Sequence, residues 1–356
     1  MTIEAPPGHG WTTAELTESL FAGGSLAEGA EVVGVESEPL GAGLLADTFR
    51  LALRYRPEGA GPATVVAKMP SADPDAARTA ASLGAYEREC RFYTDLAPRL
   101  AVRTPHLFGT LDVDGSTSGM LLEDLSRIAA PGDQLDRADA DQLERARAEL
   151  AGMQAPLWDD RDTGGLDWLH RRMGVPIPEL AERYRRSWGI AQERLGPGLE
   201  PAQRKLIARF GEVCGAWAES LPGPFTLAHH DFRLDNLMFS ADRVWVLDWQ
   251  IAGWGAPMWD LAYLMGSSVA PADRRRLEAD VVRRHVEDLT ARGVPNLTEE
   301  WAWTEYRRLS LAILLVITPA AGTVRSTERG DRMLLQMLDK GATQALELGA
   351  EEFLPA

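Results

Sequence analysis

The sequence predicts an α+β chain in two parts: a first third built as an antiparallel sheet with one crossing helix, and a remainder that is mainly helical. Three observations carry this. Short runs between positions 31 and 122 alternate apolar with polar residues or are rich in β-branched ones, which is the period and composition of strands. From Ala138 onward the pattern is helical, and the Gly164-Gly165 and Gly196-Pro197-Gly198 breaks fall between its segments. At 356 residues the chain is long enough for two lobes with a sizeable core.

Thr12 or Thr13 is placed to cap a short helix within residues 12–22, closed by Gly23-Gly24. Residues 31–38 read as a strand leading into Gly41-Ala42-Gly43, after which Phe49, Leu51 and Leu53 alternate with Arg50, Ala52 and Arg54. Strand, glycines and strand make a hairpin whose tip carries little side-chain bulk. Its glycines either form a plain β-turn or lay backbone N–H groups over phosphates. Val65-Val66-Ala67-Lys68 is a strand ending in a lysine.

A helix is expected over residues 75–96. On it Glu89 shares a face with Tyr86, Phe92, Tyr93 and Leu96, and that face is the buried one. Glu87 points roughly 160° away on a helix of 3.6 residues per turn. Glu89 is therefore the expected partner of Lys68, and a surface acid is the plain alternative. Leu107–Val113 and residues 118–122 complete a five-stranded sheet. Helices are expected at 138–153, 177–195, 201–220, 258–268, 272–292 and 299–315.

Residues 228–248, AHHDFRLDNLMFSADRVWVLD, hold the densest polar chemistry. Leu237-Met238-Phe239 and Val244-Trp245-Val246-Leu247 read as an antiparallel hairpin turning at Ser240-Ala241-Asp242. A turn centred near Asp242 sets Asn236 opposite Asp248, with Cβ atoms roughly 5 Å apart. Such an oxygen pair suits a hard cation like Mg²⁺.

The net charge of −16 argues against a nucleic-acid backbone or an anionic membrane as partner. It fits a cationic substrate or a surface kept soluble by its acids. Two cysteines, Cys90 and Cys214, make neither a disulfide framework nor a zinc cluster, which fits a reducing cytoplasm. The start, MTIEAPPGHG, has no basic and apolar regions of a signal peptide. The longest apolar stretch, 311–317, is too short to span a bilayer. A cytoplasmic monomer or homodimer is expected.

HxDxxxxN followed by a hairpin and an Asp resembles the catalytic and metal-binding segment of the protein-kinase-like fold in its small-molecule branch. HHDFRLDNLMF and VLDWQIAGWGAPMWDLAYL resemble more closely the aminoglycoside phosphotransferase, choline kinase and ecdysteroid-kinase-like superfamily, nearest to its ecdysteroid-kinase-like branch. The resemblance spans residues 30–310, is strongest over 226–268, and leaves 320–356 without any likeness.

It implies a two-lobe, protein-kinase-like fold, with a nucleotide-binding lobe over 1–124 and a helical lobe carrying the catalytic loop and substrate pocket over 125–356. It implies an enzyme that transfers the γ-phosphate of ATP to a hydroxyl of a small molecule: aminoglycoside-like, an amino alcohol or a lipophilic alcohol. By resemblance Asp231 is the catalytic base, Asn236 and Asp248 hold Mg²⁺, and Asp260 steadies the loop. Lys68, paired with Glu89, meets the ATP phosphates, which Gly41 and Gly43 cover. The Glu123 carbonyl and the Leu125 N–H bond adenine.

Arg233 stands where protein kinases carry a lysine, and either neutralises the γ-phosphate or pairs with Asp235. His230 occupies the position of the family's Gly in HGD, where a Cβ either crowds the loop or touches substrate.

Two rivals remain. His229, Asp231 and His285 spell HxD…H, the ligand order of a non-haem iron oxygenase; against it, His285 lies in a helical pattern and reads as a solvated residue, and His229 as a brace of the loop backbone. An inactive nucleotide-binding protein on the same fold is the second. The acceptor is open between one met by the acids Glu299, Glu300 and Glu305 and one met by Trp254, Trp259, Trp301 and Trp303. The ordinary roles of these residues are solvated acids and core tryptophans.

Overall fold

The computed structural model describes residues 11–42, 45–113, 116–171 and 175–355, and the chain forms two compact units. The first holds the residues up to Arg99, Thr104–Ala130 and Leu247–Gln250; the second holds Leu100–Arg103, Pro131–Val246 and Ile251 onward. The division is thus more than one cut along the chain.

In the first unit, β1 (Glu31–Ala42), β2 (Ala46–Arg56), β3 (Thr64–Pro70), β4 (Leu107–Val113) and β5 (Ser116–Glu123) form one sheet in the order β1-β2-β3-β5-β4. Each neighbouring pair is antiparallel. Phe49, Leu51, Leu53 and Tyr55 are buried at every second position of β2, with Arg54 and Arg56 exposed between and after them. Helix α1 (Thr13–Ala22) covers that apolar face. The Thr12 hydroxyl and the Glu15 carboxylate close a capping box at its start, and Leu16 and Leu20 enter a core with Trp11, Val35, Phe49 and Leu51.

The single helix expected over 75–96 is broken. It is instead α2 (Pro74–Ser82), α3 (Ala85–Arg91) and a π-helical turn, Phe92–Leu96. Gly84 causes the break: it lies at φ 61, a left-handed conformation that glycine adopts without the steric penalty of a side chain.

The second unit holds α4 (Ala140–Gln154), α5 (Arg161–Gly164), α6 (Ile177–Leu195), α7 (Pro201–Ser220), α8 (Trp259–Ser268), α9 (Pro271–Ala291), α10 (Glu299–Leu309), α11 (Ala312–Thr323) and α12 (Glu328–Glu347). Every residue of α8 is buried, which makes it the helix on which the unit is centred.

The helix expected over 299–315 is two helices. They part at Ser310-Leu311, where the Ser310 hydroxyl donates to the Arg307 carbonyl at 2.7 Å. Residues 320–356, where no resemblance was expected, hold the end of α11 and all of α12. His285 on α9 is not solvated: it is fully buried, with Nε2 3.0 Å from Gln154 Oε1, and burial, with Arg147 and Arg292 nearby, pushes its pKa down to about 3.

The 237–246 hairpin forms with Leu237 opposite Val246 and Phe239 opposite Val244. That register centres the turn between Ala241 and Asp242, half a residue before the expected centre. Asn236 closes a 3₁₀ turn, Leu234–Asn236, and Asp248 lies at φ 63. Neither is a rung of the ladder, so the hairpin does not set them as opposite residues. No helix among the described residues is long and apolar enough to cross a membrane.

Candidate active site

In the first unit, strand alternation turns Val65, Ala67 and Met69 into the core and Lys68 to the other face. Lys68 Nζ lies 2.7 Å from Glu89 Oε2 and 2.9 Å from Asp248 Oδ1. Burial works against the ammonium, yet the Asp248 and Glu89 carboxylates outweigh it and raise the lysine's pKa. Glu89 is buried and Glu87 exposed, as the helical face requires.

Helix α3 also holds the turn that carries Asp248. Glu89 Oε1 accepts the Trp249 N–H at 3.2 Å, and the Trp249 ring stacks on Phe92 at 3.6 Å between centroids. Buried Arg88 donates to the Gln250 carbonyl at 3.0 Å and to the Leu83 carbonyl at 2.8 Å. No residue pattern points to this role for Arg88, because both acceptors are backbone.

Gly41 is in β1 opposite Thr48, just past a register shift after Pro39; Gly43 lies outside the described residues. Glu123 ends β5, its N–H donating to the His106 carbonyl at 2.8 Å. Leu125 is buried and opens a 3₁₀ turn, Leu125–Arg127.

In the second unit, the strand Thr226–Ala228 pairs with Gly253–Gly255 and delivers His229, His230 and Asp231. Fully buried Asp260, on α8, accepts the His229 and His230 N–H groups, each at 2.8 Å. Burial, and after it the Asp231 charge, lift the Asp260 carboxyl to about 7 against the pull of those two donors. His229 Nδ1 accepts the Asp231 N–H at 3.3 Å, bracing the loop backbone.

His230 is buried, with its Nδ1 donating to the Ile251 carbonyl at 3.0 Å and its ring edge-on to Trp259 at 4.8 Å. Its side chain packs into the unit's interior.

The Asp231 carboxylate is held by three side chains. Arg233 Nε reaches Oδ1 at 3.0 Å and Oδ2 at 3.1 Å, Asn236 Nδ2 reaches Oδ2 at 2.9 Å, and Tyr263 Oη reaches Oδ1 at 2.7 Å. Arg233 Nη1 also meets Asp235 Oδ2 at 2.7 Å, so its expected pairing with Asp235 is present and is shared with Asp231. Tyr263 escaped the sequence reading, although its spacing of three from Asp260 on a helix sets both on one face.

The donor chemistry fits a hard cation. Asn236 points its Nδ2 at Asp231, which leaves its amide oxygen for another partner. The Asp248 side chain, in the first unit, is 39% exposed, with Oδ1 on Lys68. Among the described residues, no group of three or more His, Cys, Asp or Glu is arranged to hold a metal, and His285 is engaged with Gln154. The HxD…H order therefore has no spatial counterpart.

Trp254 and Trp259 are buried, with Trp254 against Gly164 and Trp259 beside Trp217; both are core. Glu305 is buried next to Arg308 at 3.2 Å, whereas Glu299 and Glu300 are exposed.

A family model described as "Phosphotransferase enzyme family" matches residues 38–302. No curated protein matches the chain. Solved structures of similar fold include a protein of Ralstonia eutropha provisionally named an aminoglycoside phosphotransferase, at 20% identity and TM-score 0.58, covering 94% of this chain and 98% of that one. A choline kinase from Cryptosporidium parvum is similar at 10% identity and TM-score 0.56, over 90% and 92% of the two chains. A microcompartment-associated aminopropanol kinase is similar at 15% identity and TM-score 0.52, over 90% and 94%. The α+β architecture, with its antiparallel sheet and helical remainder, is thus the kinase-like fold.

Proposed function

Because this chain belongs to the phosphotransferase enzyme family, we propose that it transfers the γ-phosphoryl group of ATP to a hydroxyl of a small molecule. The observation that carries the reading is Lys68, held between Glu89 and Asp248 at 2.7 and 2.9 Å. A lysine fixed as a cation on the face of the strand turned away from the sheet's core is placed to bind phosphate oxygens, and the two carboxylates aim it.

Phosphoryl transfer leaves the protein to position groups and neutralise charge. In the first unit, Lys68 binds the ATP phosphates, the Gly41 backbone covers them, and the 123–125 backbone binds adenine. In the second, Asp231 accepts the acceptor's O–H proton as the oxygen takes the phosphoryl group and ADP leaves. Arg233, braced by Asp235, holds the Asp231 carboxylate and supplies positive charge beside it. Asp248 in the first unit and Asn236 in the second would each offer an oxygen ligand to Mg²⁺, which would supply neutralisation of phosphate charge.

Incubation with Mg-ATP and a panel of aminoglycosides, amino alcohols and lipophilic alcohols, read by mass, tests this. Gain of one phosphoryl group by a hydroxylated compound is the expected result. Tight nucleotide binding with no ATP consumed across the panel would make the protein an inactive binder and overturn the reading.

A further inference from the structure

Tyr263 touches the reactive carboxylate, yet none of the roles above uses it. It is fully buried on α8, and its hydroxyl donates to Asp231 Oδ1 at 2.7 Å. The other two donors to that carboxylate among the described residues, Arg233 and Asn236, lie on the same loop as Asp231. Tyr263 is the donor rooted in the helix at the centre of the unit.

One turn earlier on the same helix, Asp260 takes the His229 and His230 N–H groups. Helix α8 thus fixes the loop's backbone through Asp260 and its carboxylate through Tyr263.

The carboxylate torsion of an aspartate is broad and roughly two-fold, so a backbone anchor alone leaves its oxygens free to turn. Donors on both oxygens, Tyr263 at Oδ1 and Asn236 at Oδ2, remove that freedom. We propose that Tyr263 is a positioning residue that sets the rotation of the Asp231 carboxylate, and through it the direction in which the base faces the acceptor hydroxyl. This rests on the reading of Asp231 as the base, and its test separates the two.

The probe is Mg-ATP with water as acceptor, measured for wild type, Tyr263→Phe, Asp231→Asn and the double variant, together with Mg-ATP binding and thermal stability. Tyr263→Phe keeps the ring and removes only the hydroxyl. A hydrogen bond to a charged group carries enough energy for a loss of about tenfold in kcat. That loss is expected with the nucleotide KM unchanged, since Lys68 is untouched.

In the Asp231→Asn background, adding Tyr263→Phe should change the rate by less than about twofold, because a residue acting through Asp231 has nothing left to position. Full kcat in Tyr263→Phe, while Asp231→Asn is slow, would overturn the positioning role and leave the base intact. Equal losses in both backgrounds, or a Tyr263→Phe chain that does not fold, would make the hydroxyl a structural group and also overturn it. Wild-type turnover in Asp231→Asn would instead remove the base, and the proposal with it.

Discussion

His230 carries a side chain at φ 67, a left-handed backbone position that costs a non-glycine residue about 1–2 kcal/mol. Its surroundings offset that cost. The ring packs on Trp259 and bonds Ile251, and it occupies space left by two glycines: a Cβ on Gly255 would lie 2.7 Å from His230 Nε2, and one on Gly253 2.9 Å from its Cε1. His230→Ala should lose this packing and keep the backbone penalty, whereas His230→Gly loses the packing and sheds the penalty. The glycine variant should therefore be the more stable of the two by about 1 kcal/mol, the reverse of the usual order, as read by denaturant unfolding. An alanine variant at least as stable would show that the loop is unstrained. The departure from HGD was visible in the sequence, but its meaning was not, because it depends on glycines more than twenty positions later. The Lys68–Glu89 pair was legible, since one helical face and one strand end settle it. The burial of His285 was not: its partner Gln154 lies 131 residues upstream, and a lone histidine in a charged helix carries no sign of it.

Helix types were legible where apolar spacing was regular, and their ends were not where one residue decides. Gly84 splits one expected helix by local backbone chemistry that the apolar period does not register, and a second parts at Ser310-Leu311 with no break in that period. The gap was largest at α12, although Met333, Leu334, Met337 and Leu338 recur at helical spacing there and are all buried. This helix reaches the catalytic loop: Met333 Sδ lies 3.6 Å from Arg233 Nη1, and Arg329 lies 3.6 Å from Asp235. Lys340 and Gln344 bond the Ser267 carbonyl and the Tyr306 hydroxyl at 3.3 and 2.9 Å. Truncating each of those buried apolar side chains costs about 2–5 kcal/mol, so losing all four is comparable to the whole stability of a typical domain. A chain truncated after Thr327 should therefore lose the fold of its second unit, seen as lost helical signal and rapid proteolysis. A truncated protein as protease-resistant as the full chain would contradict this, and would make α12 an accessory.

At the scale of the whole molecule, the β-rich front and helical remainder were predicted correctly because the two hydrophobic periods separate cleanly along the chain. The family match over residues 38–302 fits the polar motif around Asp231. The division into units was less legible, since Leu247–Gln250 joins the first unit through contacts with α3 that no local pattern announces. The functional account divides the work in the same way, with nucleotide phosphates assigned to Lys68 and proton acceptance to Asp231. These tasks are separable by experiment. The most direct measurement compares Asp231→Asn with wild type for Mg-ATP affinity, by calorimetry, and for turnover. The account predicts an affinity close to wild type, because Lys68 and Asp248 are unchanged, and a turnover lower by roughly 10²–10⁴. Normal binding with turnover at the wild-type rate would contradict it.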